Sequence, residues 1–239
     1  MENTNNKFEK KTFIFDFDST IFPGETLDEI IDFALQNDPQ RAEKSREITR
    51  ICNLGMAGEI SMEESLRRRL QIASPTKEII RKYVQENKNR IEPKFRGILH
   101  DLQAAGHQVL VVSGGFEEWI VPLLEGIVPA GNIHANRIKD PEKPMTIDNI
   151  IRRTKEEIIQ TLKDTGKIKN PAKITMVGDG MTDFTVFENE IAQEFIGAFF
   201  YENRPKVREK AEKFKQKVFN SLDDFVKYIR KKSLMKLAA

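Results

Sequence analysis

The sequence contains a single cysteine, Cys52, only three histidines and one tryptophan. One thiol excludes an internal disulfide framework and any cysteine-rich zinc site, and it points to a reducing cytoplasm. No apolar run approaches the roughly 20 residues that cross a bilayer, so no membrane span is expected. The opening residues, Met1-Glu-Asn-Thr-Asn-Asn, lack the charged-then-apolar layout of a secretory signal. Neither charge is in excess: 39 Lys and Arg face 37 Asp and Glu, a formal +2. Such a balance gives no broad positive field for nucleic acid.

The 239 residues, 39% hydrophobic and 32% charged, suit a soluble globular chain with one large domain, or a core with an insertion. Short apolar runs at 12–18, 107–112 and 173–177 read as parallel strands, each feeding a Gly/Ser/Asp/Thr cluster. Residues 132–138 and 194–200 are weaker strand candidates. Helical patterns cover 93–105, 116–124, 147–162, 183–191 and 221–231. Alternating strands and helices predict an α/β fold: a Rossmann-like parallel sheet covered by helices on both faces. Residues 25–90 are strand-poor, charged and broken at Asp38-Pro39, Gly55–Gly58 and Ser74-Pro75, which predicts about four inserted helices. The expected division is a core of 1–22 and 91–233, with a helical-bundle cap at 23–90. Residues 236–239, Lys-Leu-Ala-Ala, read as a cloning scar.

The chemistry gathers at the carboxyl ends of the three main strands, which share one edge of a parallel sheet. The first delivers Phe15-Asp16-Phe17-Asp18-Ser19-Thr20. Alternation puts Asp16 and Asp18 on one side of the strand. Two carboxylates this close repel, and a hard divalent cation would compensate them. The bland reading is two polar residues at a strand exit. The third strand ends in Gly178-Asp179-Gly180-Met181-Thr182-Asp183, which turns Asp179 and Asp183 toward the same place; Asp183 serves equally well as a helix cap. The second ends in Ser113-Gly114-Gly115, a hydroxyl and bare amides before a helix, suited to phosphate or to a plain turn. His100, His107 and His134 form no evident triad. Jointly, the three strand ends point to metal-assisted phosphoryl transfer with a carboxylate nucleophile.

Those residues, in that order, resemble the haloacid dehalogenase superfamily of aspartate-nucleophile phosphatases, most closely its phosphoserine phosphatase branch. The resemblance spans about 11–229. It implies that Asp16 is the nucleophile and Asp18 the general acid and base. It implies Mg²⁺ held by Asp16, the Asp18 backbone carbonyl and Asp179, with Asp183 in support. Ser113, Gly114 and a lysine at a helix start would hold phosphate; Thr154-Lys155-Glu-Glu-Ile-Ile is the best match for that lysine. Thr182 falls beside them. In the inserted helices, Glu25 matches a residue that meets a substrate ammonium, Arg69 one that grips a carboxylate, and Met56 and Met62 apolar positions that close the site. Arg204 falls near a basic position of relatives and is left out of the expected site. The substrate implied is a small phosphorylated amino acid, O-phospho-L-serine; the alternatives are another small phosphomonoester, a phosphotransferase, or a non-catalytic phosphate-binding relative. Neither nucleic acid nor membrane is an expected partner, and monomer and homodimer remain equal alternatives.

Overall fold

The computed structural model of the chain describes residues 10–57 and 59–234. Strand β1 (Thr12–Phe15) is buried along its whole length, as a run apolar on both faces requires. Phe13, Phe15 and Phe17 are almost wholly out of water and each contributes roughly 1.5–3 kcal/mol. That gain offsets the cost of ending the strand in buried carboxylates.

Around it lie β2 (Gln108–Phe116), β3 (Ile133–Ile138), β4 (Ile150–Ile151), β5 (Ile174–Gly178), β6 (Glu194–Ala198) and β7 (Lys217–Phe219). Among the described residues they form a seven-stranded sheet of order β4-β3-β2-β1-β5-β6-β7, parallel except for the short edge strand β4. The expected α/β class is borne out. The chain runs outward from β1 through β2 to β3, then returns to β5 on the other side. The switch opens a crevice at the carboxyl ends of β1 and β5, where open α/β sheets bind ligands.

Four helices follow β1 directly: α1 (Thr26–Ala34), α2 (Arg41–Ala57), α3 (Met62–Ile72) and α4 (Lys77–Asn87). One face of the sheet carries α5 (Pro93–Ala104), α6 (Glu117–Leu123) and α10 (Leu222–Ile229). The other carries α7 (Lys155–Asp164), α8 (Met181–Glu188) and α9 (Pro205–Lys213). The inserted helices share one continuous apolar cluster with the first face, from Phe17, Ile21 and Phe22 through Ile30, Leu66 and Tyr83. Arg90 joins the two crossings into them, donating to the Pro23 carbonyl (2.8 Å) and pairing with Glu29. No helix among the described residues is long and apolar enough to cross a membrane.

The structure adds α9 and β7, where no element was expected, and departs from an expected element in one stretch. Residues 147–162 are not one helix: a 3-10 turn (Ile147–Asn149) and β4 precede α7, which starts at Lys155. Thr154 caps it, its hydroxyl accepting from Glu157 N–H (3.2 Å) while the Glu157 carboxylate accepts from Thr154 N–H (2.8 Å). The expected scar at 236–239 lies outside the described residues.

Candidate active site

The β1–β5 register builds the centre of the site. Phe15 lies beside Val177, and Asp16 N–H donates to the Val177 carbonyl (2.8 Å), so Asp16 and Asp179 leave adjacent strands side by side. The side chain of Asp16 falls on the Ile14 face, where α7 and α8 pack. Lys155, the first residue of α7, extends its ammonium into this space, 2.9 Å from Asp16 Oδ1 and 2.5 Å from Asp183 Oδ1. Asp183 does both jobs that its position allows: its other oxygen accepts from Gly180 N–H (2.9 Å), closing the first turn of α8. Gly178 makes room for it, since a Cβ there would stand 2.3 Å from the Asp183 carboxyl carbon.

Asp16, Asp179 and Asp183 are all buried, and each offers a carboxylate oxygen within 4.8 Å of the other two. Burial pushes Asp183 well above the usual carboxylate range, with Asp16 adding to the push and Lys155 opposing it. Asp179 is raised by burial and by Asp16, against Arg204 and Lys155. Burial also works against the charge of Lys155, but Asp16 and Asp183 outweigh it and hold the ammonium protonated. Three buried carboxylates thus converge, with one lysine and an arginine edge offsetting only part of their charge. An all-oxygen donor set with surplus negative charge suits a hard divalent cation.

Asp18 is separated from this trio. After Phe17 the chain turns tightly, with Ser19 at φ 52°, and Asp18 faces the start of α1 instead. Its Oδ1 accepts from Thr26 N–H (2.8 Å) and from the Thr26 hydroxyl (2.6 Å). The Trp119 indole donates to that same hydroxyl (2.8 Å), fixing its direction. Burial raises the Asp18 carboxyl well above its ordinary value, helped by Glu25 and Asp16 and opposed by the Thr26 bonds. The bare Gly115 lets Oδ2 sit close, because a Cβ there would stand 3.1 Å from it.

The remaining expected residues divide into three groups. Ser113 is buried at the end of β2, its Oγ accepting from Gly115 N–H (2.9 Å), and Gly114 beside it is exposed. Glu25 accepts from Ser19 Oγ (2.9 Å), and Thr182 is exposed on the first turn of α8. Arg69 belongs to a separate cluster inside the inserted helices. It is buried, its Nη1 pairs with Asp28 and its Nε donates to the Ser65 carbonyl (3.4 Å). The Met56 side chain lies outside the described residues, and Met62 is exposed.

Two residues of the site stood outside the expected set: Arg204, noted and left out, and Thr26, not singled out. Arg204 donates through Nε to Asp179 (2.8 Å) and through Nη2 to Glu25 (2.7 Å), joining the carboxylate cluster to the inserted helices. Thr26 directs Asp18. The available signal for Arg204 was its place just after β6 and before Pro205, which starts α9 at the same sheet edge.

A family model of haloacid dehalogenase-like hydrolases matches residues 13–188, so the chain belongs to that family. It is a phosphatase of that family, and its relatives include phosphoserine phosphatases. The phosphoserine phosphatase of Drosophila melanogaster is 29% identical over 210 residues, covering 83% of this chain and 72% of the relative. A phosphoserine phosphohydrolase-like protein from Francisella tularensis superposes with a TM-score of 0.73 at 30% identity, covering 92% of this chain and 99% of the other. A phospho-aspartyl intermediate analogue of a phosphoserine phosphatase superposes with a TM-score of 0.67 at 28% identity, covering 92% and 99%.

Proposed function

We propose that the chain hydrolyses O-phospho-L-serine to L-serine and phosphate with Mg²⁺, as the last step of serine biosynthesis. The observation that carries this reading is Asp16: it ends the central strand, bonded to Lys155 and grouped with two further buried carboxylates. Mg²⁺, held by Asp16, Asp179 and the Asp18 backbone carbonyl with Asp183 in support, would neutralise charge on the transferring phosphoryl group.

A carboxylate oxygen of Asp16 attacks phosphorus and the bond to the serine oxygen breaks, leaving an aspartyl phosphate. Asp18 gives its proton to the departing oxygen. Its raised carboxyl supports that role, and because Oδ1 accepts two bonds from Thr26, the proton belongs on Oδ2. The resulting carboxylate then takes a proton from water, whose oxygen attacks phosphorus and frees Asp16 and phosphate. Ser113, Gly114 and Lys155 hold the phosphate oxygens, with Thr182 at the rim. Residues 23–90 act as a cap over a core of 1–22 and 91–233. Within the cap Glu25 meets the substrate ammonium, Arg69 its carboxylate, and Met56 closes over the pair.

Phosphate release measured with Mg²⁺ over small phosphomonoesters, including both phosphoserine enantiomers, tests this reading. Phosphoserine should be preferred, and Arg69→Ala should raise its KM by about tenfold or more while leaving a substrate without a carboxylate unaffected. A different preferred ester would move the substrate assignment; no turnover of any ester would leave a non-catalytic relative.

A further inference from the structure

A second charged cavity lies at the opposite edge of the sheet. It is a cleft of about 630 Å³ at the amino ends of β1, β5, β6 and β7, walled by Tyr228 of α10 and by Lys232 beyond it. Among the described residues, five lysines line it, Lys11, Lys173, Lys215, Lys217 and Lys232, with one carboxylate, Glu194; Lys11 and Lys173 make further interactions of their own. The whole chain carries only +2, so this is a local concentration of charge.

The fold brings the lysines together. Val177, Ile196 and Phe219 all face the α10 side, so two residues back along each strand Thr175, Glu194 and Lys217 face it too. Glu194 is already engaged: it accepts from Thr175 Oγ1 (3.0 Å), pairs with Lys232 and lies 4.0 Å from Lys11. Lys215 and Lys217 are exposed and have no carboxylate partner among the described residues.

Two ordinary explanations fall short. The dipole at the end of α9 is already met by Lys210 and Lys213 in its last turn. Protection of the edge strand β7 accounts for a lysine on that strand, not for convergence from four other segments. A cleft lined mainly by one sign of charge concentrates its field on an ion inside it.

We propose that this cleft binds a small multivalent phosphate anion, the phosphate chain of a nucleotide or an inorganic polyphosphate, through Lys215, Lys217 and Lys232. Titration calorimetry of the metal-free protein with tripolyphosphate and, separately, with ATP tests it. Saturable binding to one site is expected, and the tighter ligand identifies the source of the phosphate chain. The Lys215→Glu/Lys217→Glu pair should weaken it at least about tenfold, and the milder Lys217→Gln by a few-fold, with unchanged phosphatase rates. Ser113→Ala should leave it intact. The proposal is overturned if neither anion binds saturably, if the lysine pair has no effect, or if binding is lost with Ser113→Ala. Capture of an oligonucleotide without tripolyphosphate binding would also overturn it.

Discussion

The two ends of one parallel sheet carry opposite charge, and they carry it differently. At the carboxyl ends Asp16, Asp179 and Asp183 are buried, and each bonds Lys155 or Arg204. At the amino ends, among the described residues, five lysines and one glutamate line an open cleft. Charges taken out of water survive only in compensated groups, whereas water screens a like-charged cluster at little cost. Compensating partners are therefore required inside the site and optional at the far edge.

The comparison is sharpest at Asp16. Asp16→Asn should lower phosphate release by at least about a thousandfold, yet leave the metal-free melting temperature no lower, since one buried negative charge is gone. Normal turnover in that variant would remove the proposed nucleophile. Lys155→Met should show the cost of breaking compensation. With Asp16 and Asp183 left unpaired, we expect about 3–5 kcal/mol of lost stability in denaturant titration, part of it restored by Mg²⁺.

Acidity distinguishes the two ends next. Asp18, Asp179 and Asp183 have raised carboxyl values, so the folded protein holds protons that the unfolded chain has released. Without metal, the contribution of these three groups to stability should be fully present in acid and be lost as pH rises from the ordinary carboxylate range through the raised folded values. Added Mg²⁺ should flatten that fall, and its gain in melting temperature should be larger above neutrality than in mild acid. An equal gain at both would contradict the grouping of these carboxylates around a cation. The smallest effect belongs to the amino edge: Lys217→Gln should change stability by no more than about 0.5 kcal/mol in the same denaturant titration.

The three main strands were legible because each is an apolar run that stops at a turn residue. Their carboxyl-end residues could then be grouped before any coordinates. The stretch 147–162 misled because Ile147, Ile150, Ile151 and Ile158 mimic helical spacing, although the Thr154–Glu157 pair marks the true start. Helix α9 was missed because only Val207 and Ala211 of its nine residues are buried, too little for a pattern. Strand β7 has three residues and no alternation to read. Arg204 was noticed beside a basic position of relatives but left out of the site for another reason. One arginine among 39 basic residues gains meaning only when β6 delivers it beside Asp179.

The central place of β1 has a consequence for how the chain is made. It is the first strand among the described residues, but its two neighbours pair at Gln108 and Ile174, far later in the sequence. A nascent chain would therefore emerge with Thr-Phe-Ile-Phe bare on both edges, and the four inserted helices that follow also wait for α6 and Met145 to complete their packing. Until β5 leaves the ribosome that segment has no completed shelter, so translation pauses before residue 178 are where chaperone capture or clumping would be decided.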